Sequence, residues 1–159
     1  MGFWRCLAYI VALGIVSFVL GRLMPKAWFR FDRAPFRAFG WEQDGRVYLK
    51  LGINRWQSRV PDMSRIFPKL MPAKAMDKLP DQAGLLAMIR ETCVAEAVHV
   101  ILCVLGLPCL LLWPGIGGVI VYAVYVLLGN LPFILIQRYN RPRLVRTYRR
   151  RQKQKEGRT

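Results

Sequence analysis

Residues 91–137 read ETCVAEAVHVILCVLGLPCLLLWPGIGGVIVYAVYVLLGNLPFILIQ, a run without lysine or arginine that still holds Glu91, Glu96 and the chain's single histidine, His99. It is too long for one membrane-crossing helix and suits two, because a span needs about 20 apolar residues. Its middle, Trp113-Pro114-Gly115-Ile116-Gly117-Gly118, supplies the turn. Proline and glycine break a helix there, and an indole suits a membrane interface. Spans are therefore expected over about 91–112 and 117–137, with Pro108 and Pro132 kinking them.

Residues 6–21, CLAYIVALGIVSFVLG, form a second uncharged run between Arg5 and Arg22. Sixteen helical residues reach only about 24 Å, short of a core about 30 Å thick. Snorkelling arginines and the aromatic anchors Phe3 and Trp4 make up the difference. A small-x-small cleavage site is missing after the run, so a retained first span is expected over about 4–23.

Charge is segregated into blocks. The net charge is +16, with one Lys or Arg before the first span, fourteen in 22–90, none in 113–118 and ten from 138 onward. A soluble basic domain or nucleic-acid binder would spread these charges over a surface without long uncharged spans, so no nucleic-acid partner is expected. The positive-inside rule puts the interfacial segment 25–90 and the basic tail 138–159 in the cytoplasm, with the N-terminus outside. The fold expected is all-α: a single polytopic membrane domain over 1–159, with about three transmembrane helices plus interfacial amphipathic segments.

The stretches Ala27-Trp28-Phe29-Arg30-Phe31 and Phe36-Arg37-Ala38-Phe39-Gly40-Trp41 mix aromatics with arginine, as headgroup-level segments do. A short amphipathic helix is expected over 70–79, and a short strand or interfacial turn over 47–53. Pro142 is expected to stop the third helix, leaving a basic surface helix that holds anionic lipid beyond it. Cys6, Cys93, Cys103 and Cys109 all fall in apolar segments without CxxC spacing, and read as small buried hydrophobes. No metal site is expected.

Ionisable groups inside a span are costly, which makes Glu91, Glu96 and His99 a site hypothesis. Glu96 and His99, three residues apart, share a helical face, and Thr92 lies between them in angle. His99 would stand roughly 13 Å along the axis from Arg90, near the level of a lipid's acyl linkages. Imidazole titrates near neutrality and can take a proton from an attacking hydroxyl, with a carboxylate orienting it. Downstream, Gln137, Arg138, Asn140, Arg141 and Arg143 form a polar patch. Its guanidinium forks suit a donor's phosphates or an oxyanion. Lys50, Trp56 and Asp62 are weaker candidates for positioning the acceptor head. A packing trio, a plain charged flank and a solvated loop are the competing readings of these three groups. The chain carries no G-x-S-x-G elbow, no G-x-G-x-x-G in a βαβ context and no HxxxH pair.

Glu91-Thr92, Ala95-Glu96 and His99, followed by Gln137-Arg138-Tyr139-Asn140-Arg141-Pro142-Arg143-Leu144, resemble the membrane-bound glycosyl-4,4'-diaponeurosporenoate acyltransferases of staphyloxanthin-type carotenoid biosynthesis. The pattern Glu42…Gly45…Lys50…Trp56…Asp62 is similar too. The resemblance runs from about residue 40 to the end. It implies transfer of a fatty acyl group to a sugar hydroxyl of a glycosylated lipid in the plasma (inner) membrane. The acyl donor would be acyl-CoA or a similar thioester, with no cofactor, and the partners would be membrane lipids and a glycosylated isoprenoid or carotenoid acceptor. His99, Glu96 and Glu91 are expected to be catalytic. Three helices are few to enclose a lipid cleft, which leaves room for a homo-oligomer. Two other classes stay open: a different membrane transferase, such as a methyltransferase, and a non-enzymatic lipid-binding or assembly subunit.

Overall fold

The computed structural model describes residues 1–60 and 81–157. Asp62 and the expected amphipathic helix over 70–79 lie outside the described residues. Helix α1 (Gly2–Leu23) is the first apolar run; it ends where Met24 turns extended, the conformation favoured before a proline. A 3₁₀ turn (Lys26–Trp28) and a longer 3₁₀ segment (Gly40–Leu51) lead to the short α2 (Ile53–Trp56). Among the described residues there is no strand, and the 47–53 stretch is 3₁₀ as far as Leu51, turns at Gly52 (φ 64°) and enters α2 at Ile53. That corrects the expected strand: Tyr48 and Ile53 bury against Tyr139, with Val47, Trp56, Leu135 and Ile136 around them.

Helix α3 (Gln82–Leu105) begins well before the expected span because Asp81 caps it, its Oδ1 accepting from the Gly84 N–H at 2.8 Å. It stops at Gly106. Pro108 then opens the single turn α4 (Cys109–Leu112), so this proline separates two helices where a kink was expected. Trp113 folds back over the hairpin. A Cβ on Gly117 would stand 2.3 Å from the indole, so a side chain there would displace the ring. Phe3 of α1 meets the same indole edge-on at 6.3 Å between centroids.

Helix α5 (Ile116–Val124) widens into a π turn (Tyr125–Asn130) and then continues as α6 (Leu131–Glu156). Pro132 explains the widening. Its ring would strike the carbonyl four residues earlier, and a turn closed at i+5 relieves that clash. Pro142, by contrast, does not stop the helix. Helix α6 runs through it, and the basic tail is the same helix rather than a separate surface one. The side-chain bonds of Arg138 and Arg141, described below, anchor the turn that leads into this proline.

Helices α3 and α6 pack against each other more extensively than any other described pair; α1 leans on α3, α4 and α5, and the Gly40–Leu51 segment lies against α6. Three stretches, Gly2–Leu23, Gln82–Leu112 and Ile116–Glu156, are long and apolar enough to cross a membrane. Their flanks stay open: Val11, Ile15, Val19, Val100, Val104, Ile120, Val124 and Leu128 are all exposed. Apolar area on this scale suits hydrocarbon, and the fold among the described residues is all-α, with three helices fit to span a membrane.

Candidate active site

The site is built where the first loop meets the two long helices. In Gly40–Leu51, Gln43 and Asp44 take left-handed backbone angles (φ 49° and 54°) and Gly45 follows at φ 87°, which turns the chain sharply. Glycine suits position 45: its φ is positive and a Cβ there would stand 3.1 Å from the Tyr139 carbonyl of α6. This close approach carries Glu42 inward until only 1% of it is exposed. The Phe39 N–H donates to Glu42 Oε2 at 2.6 Å, and the Tyr48 hydroxyl donates to Oε1. Burial opposes ionisation of Glu42, yet the bonds from Arg138, Tyr48 and the Phe39 N–H outweigh it and hold the carboxyl below its usual range. Burial, then the Glu42 carboxylate, pushes the Tyr48 hydroxyl up, so it remains a donor.

Two carboxylates and two guanidiniums meet at this point, and their charges cancel. Arg138 donates from Nε to Glu42 Oε1 at 2.5 Å, from Nη2 to Glu42 Oε2 at 3.1 Å, and from Nη1 to Glu96 Oε1 at 2.5 Å. Arg141 takes the other Glu96 oxygen through Nη2. Its remaining bonds run to Thr92 Oγ1 at 2.9 Å, to the Thr92 carbonyl at 3.0 Å and to the Phe36 carbonyl at 2.7 Å. Each guanidinium also lies on an aromatic face, Arg138 over Phe39 at 4.7 Å and Arg141 over Phe36 at 5.5 Å. Charges paired and bonded this extensively tolerate burial. The crevice beside them, lined by Phe36, Ala38, Glu42, Arg138, Arg141 and Pro142, measures about 10 Å³. That is room for one water, not for a substrate.

His99 lies one helical turn beyond Glu96. Its Nδ1 is 3.0 Å from Asn130 Oδ1, and its ring stacks on Phe133 at 4.6 Å with 7° between the planes. Neither glutamate expected to orient the imidazole does so. Glu96 is held by two arginines, which attract a carboxylate more strongly than a neutral imidazole can, and Glu91 pairs with Lys26 at 2.8 Å. The carboxylate stayed on the expected helical face; its partners came from another element.

The other sequence candidates spread out. Arg141 is 3% exposed and turned inward, so it does not present the fork expected for a donor's phosphates. Arg143 is exposed and lies over the Tyr139 ring at 5.0 Å. Asn140 reaches Gln57 Oε1 at 3.4 Å, tying α6 to the loop, and Gln137 is half-buried next to Arg138 in sequence. Lys50 is exposed, while Trp56 packs on the Tyr48–Ile53–Tyr139 core and donates to the Leu51 carbonyl at 3.0 Å. Sequence reasoning missed Thr92, Tyr48 and Asn130 as working residues, and placed Glu42 only within a resemblance. Asn130 had a signal: it is the sole asparagine of the 91–137 run, and amides in a span usually bond across helices.

The profile of the glycosyl-4,4'-diaponeurosporenoate acyltransferase family matches residues 25–150. The curated proteins of that name from Staphylococcus aureus strains bovine RF122 / ET3-1 and USA300 are each 28% identical over 152 residues. Each match covers 88% of this chain and 82% of the relative. The protein of the same name from strain MRSA252 is 29% identical over 143 residues. No solved structure matches the chain. The match takes in the loop that carries Glu42, both long helices and the His99 face, and on it the chain belongs to the glycosyl-4,4'-diaponeurosporenoate acyltransferase family and is an acyltransferase.

Proposed function

We propose that the chain moves a fatty acyl group from a thioester donor, acyl-CoA or its like, to a hydroxyl of a glycosylated isoprenoid or carotenoid lipid at the cytoplasmic face of the plasma membrane. The observation that carries this reading is His99. Its Nδ1 is bonded into the protein, while Nε2 has no protein partner among the described residues. Among the described residues the buried side-chain polar atoms left unpartnered are Gln82 Oε1 and Tyr125 OH, so Nε2 keeps some accessible surface. An imidazole held at one nitrogen and open at the other is arranged to accept a proton.

In this reading Nε2 takes the proton of the acceptor hydroxyl as its oxygen attacks the thioester carbonyl. The tetrahedral intermediate then expels the thiolate, and the imidazolium returns the proton to it. The Glu42–Arg138–Glu96–Arg141 group is assigned to the scaffold: it fixes the loop and α6 against α3, one turn from His99. Phosphates of a soluble donor would fall to exposed cations of the same face, Arg143 and Lys50 among them, rather than to Arg141. Names of the relatives support the acyl chemistry and the carotenoid glycoside, and the basic blocks support the cytoplasmic side.

The test is to incubate purified protein in lipid with labelled acyl-CoA and a glycosylated carotenoid extract, then follow label into the lipid fraction. Transfer that is lost in His99→Ala but not in Arg143→Ala at saturating donor supports the reading. Full transfer by a well-inserted His99→Ala protein overturns the base.

A further inference from the structure

We infer that Asn130 fixes the tautomer of His99, placing the ring hydrogen on Nδ1 and the lone pair on the open Nε2. Its catalytic meaning rests on the function proposed above, while its physical content stands on the contacts of Asn130 alone. A neutral imidazole carries one donor and one acceptor nitrogen, and its neighbour decides which is which. Here the neighbour is an amide whose own orientation is settled. Asn130 Nδ2 donates to the Tyr125 carbonyl at 2.9 Å, which leaves Oδ1 toward His99 Nδ1 at 3.0 Å. Turning the amide over would press Oδ1 against another carbonyl oxygen and lose that bond. An amide oxygen can only accept, so Nδ1 must be the donor.

The fold supplies the parts. Asn130 closes the π turn, a widening that tends to occur at functional positions. That turn sets its side chain over the Tyr125 carbonyl, five residues earlier. Asn130 is 1% exposed, so water does not compete for its amide. The ring itself is held by the stack on Phe133. Without the asparagine, His99 would be free to carry its hydrogen on Nε2, the form that histidine favours in water, and Nε2 could not accept a proton. Asn130 is thus a positioning residue: it touches no reacting atom and acts through the imidazole.

The chain contains one histidine, so protein made with ring-¹⁵N histidine and reconstituted in lipid gives one pair of ring signals. The expected spectrum at neutral pH has a protonated Nδ1 and an unprotonated Nε2. In Asn130→Leu, which keeps the bulk but not the amide, the Nε2–H form should grow. Its kcat should fall on the order of 10²-fold with the KM for acceptor little changed. A protonated Nε2 in the unaltered protein overturns the inference, and this readout does not depend on the variant folding. Unchanged ring signals in a folded Asn130→Leu protein overturn it as well. Ring signals that switch while kcat holds uphold the tautomer and overturn His99 as base, which separates this inference from the proposed function.

Discussion

Arg138 grips Glu42 at two points, Nε at 2.5 Å from one carboxylate oxygen and Nη2 at 3.1 Å from the other, across 96 positions of sequence. This pair is the charged link between the loop and α6, and the same guanidinium reaches on to Glu96 of α3. Removing one partner from a buried pair strands the other, at a cost of about 3–5 kcal/mol. Glu42→Gln should sit at the low end, because Arg138 keeps Glu96. Glu96→Gln should cost more, because two guanidiniums depend on that carboxylate. Thermal unfolding in one detergent would rank the two variants, and equal midpoints would contradict the shared role of Glu96.

The approach of loop and helix can be tested apart from charge. Gly45→Ala meets both a positive φ and the Tyr139 carbonyl at 3.1 Å, while Gly52→Ala meets a positive φ (64°) with nothing within 4 Å. Left-handed backbone alone costs a non-glycine residue about 1–2 kcal/mol. Gly45→Ala should lose more than Gly52→Ala, and the difference measures how tightly the loop is pressed on α6. Similar losses would show that the contact gives way freely.

The three apolar helices were legible because hydrocarbon writes a long, unmistakable pattern, and the 113–118 turn interrupts it with proline and glycine. Helix ends were less so. Asp81 starts α3 through a cap that lies outside the apolar run, and Pro142 looks like a stop yet sits inside α6 because neighbouring side chains hold the turn. The site was half legible. An ionisable residue in a span announces itself through its cost, so Glu96 and His99 stood out. Their partners did not: Glu42 comes from a loop with no periodicity to place it, and Asn130 is an uncharged amide, whose cost in a span is smaller than that of an ionisable group. Spacing along one helix suggested a Glu96–His99 pair; the arginines that claim Glu96 belong to a helix whose rotation the sequence does not reveal.

Acid should find Glu42 before it disrupts the helices. Its folded carboxyl lies below the ordinary value of 4.5, with burial opposing and the Arg138, Tyr48 and Phe39 bonds enforcing the shift. A depressed folded value means that the stabilisation is complete above the unfolded value and is lost as pH falls through the folded one. Unfolding midpoints should therefore drop below about pH 4.5 in the unaltered protein. Glu42→Gln, less stable throughout, should drop less over the same interval. Parallel curves for the two proteins would mean that Glu42 does not titrate in this window.

His99→Gln separates packing from chemistry more cleanly than alanine does. A glutamine amide can still donate to Asn130 Oδ1, and so keep the bond between α3 and the π turn, but it has no lone pair able to take a proton at neutral pH. The lost stack on Phe133 is a modest term, about 0.5–1.5 kcal/mol for an aromatic pair, so the unfolding midpoint should move little. General-base catalysis is worth about 10²–10⁴-fold, so turnover should fall by that much with donor binding intact. The opposite pattern, a destabilised protein that still turns over at full rate once folded, would make His99 a packing residue. The proton acceptor would then have to be sought among groups nearer the headgroups.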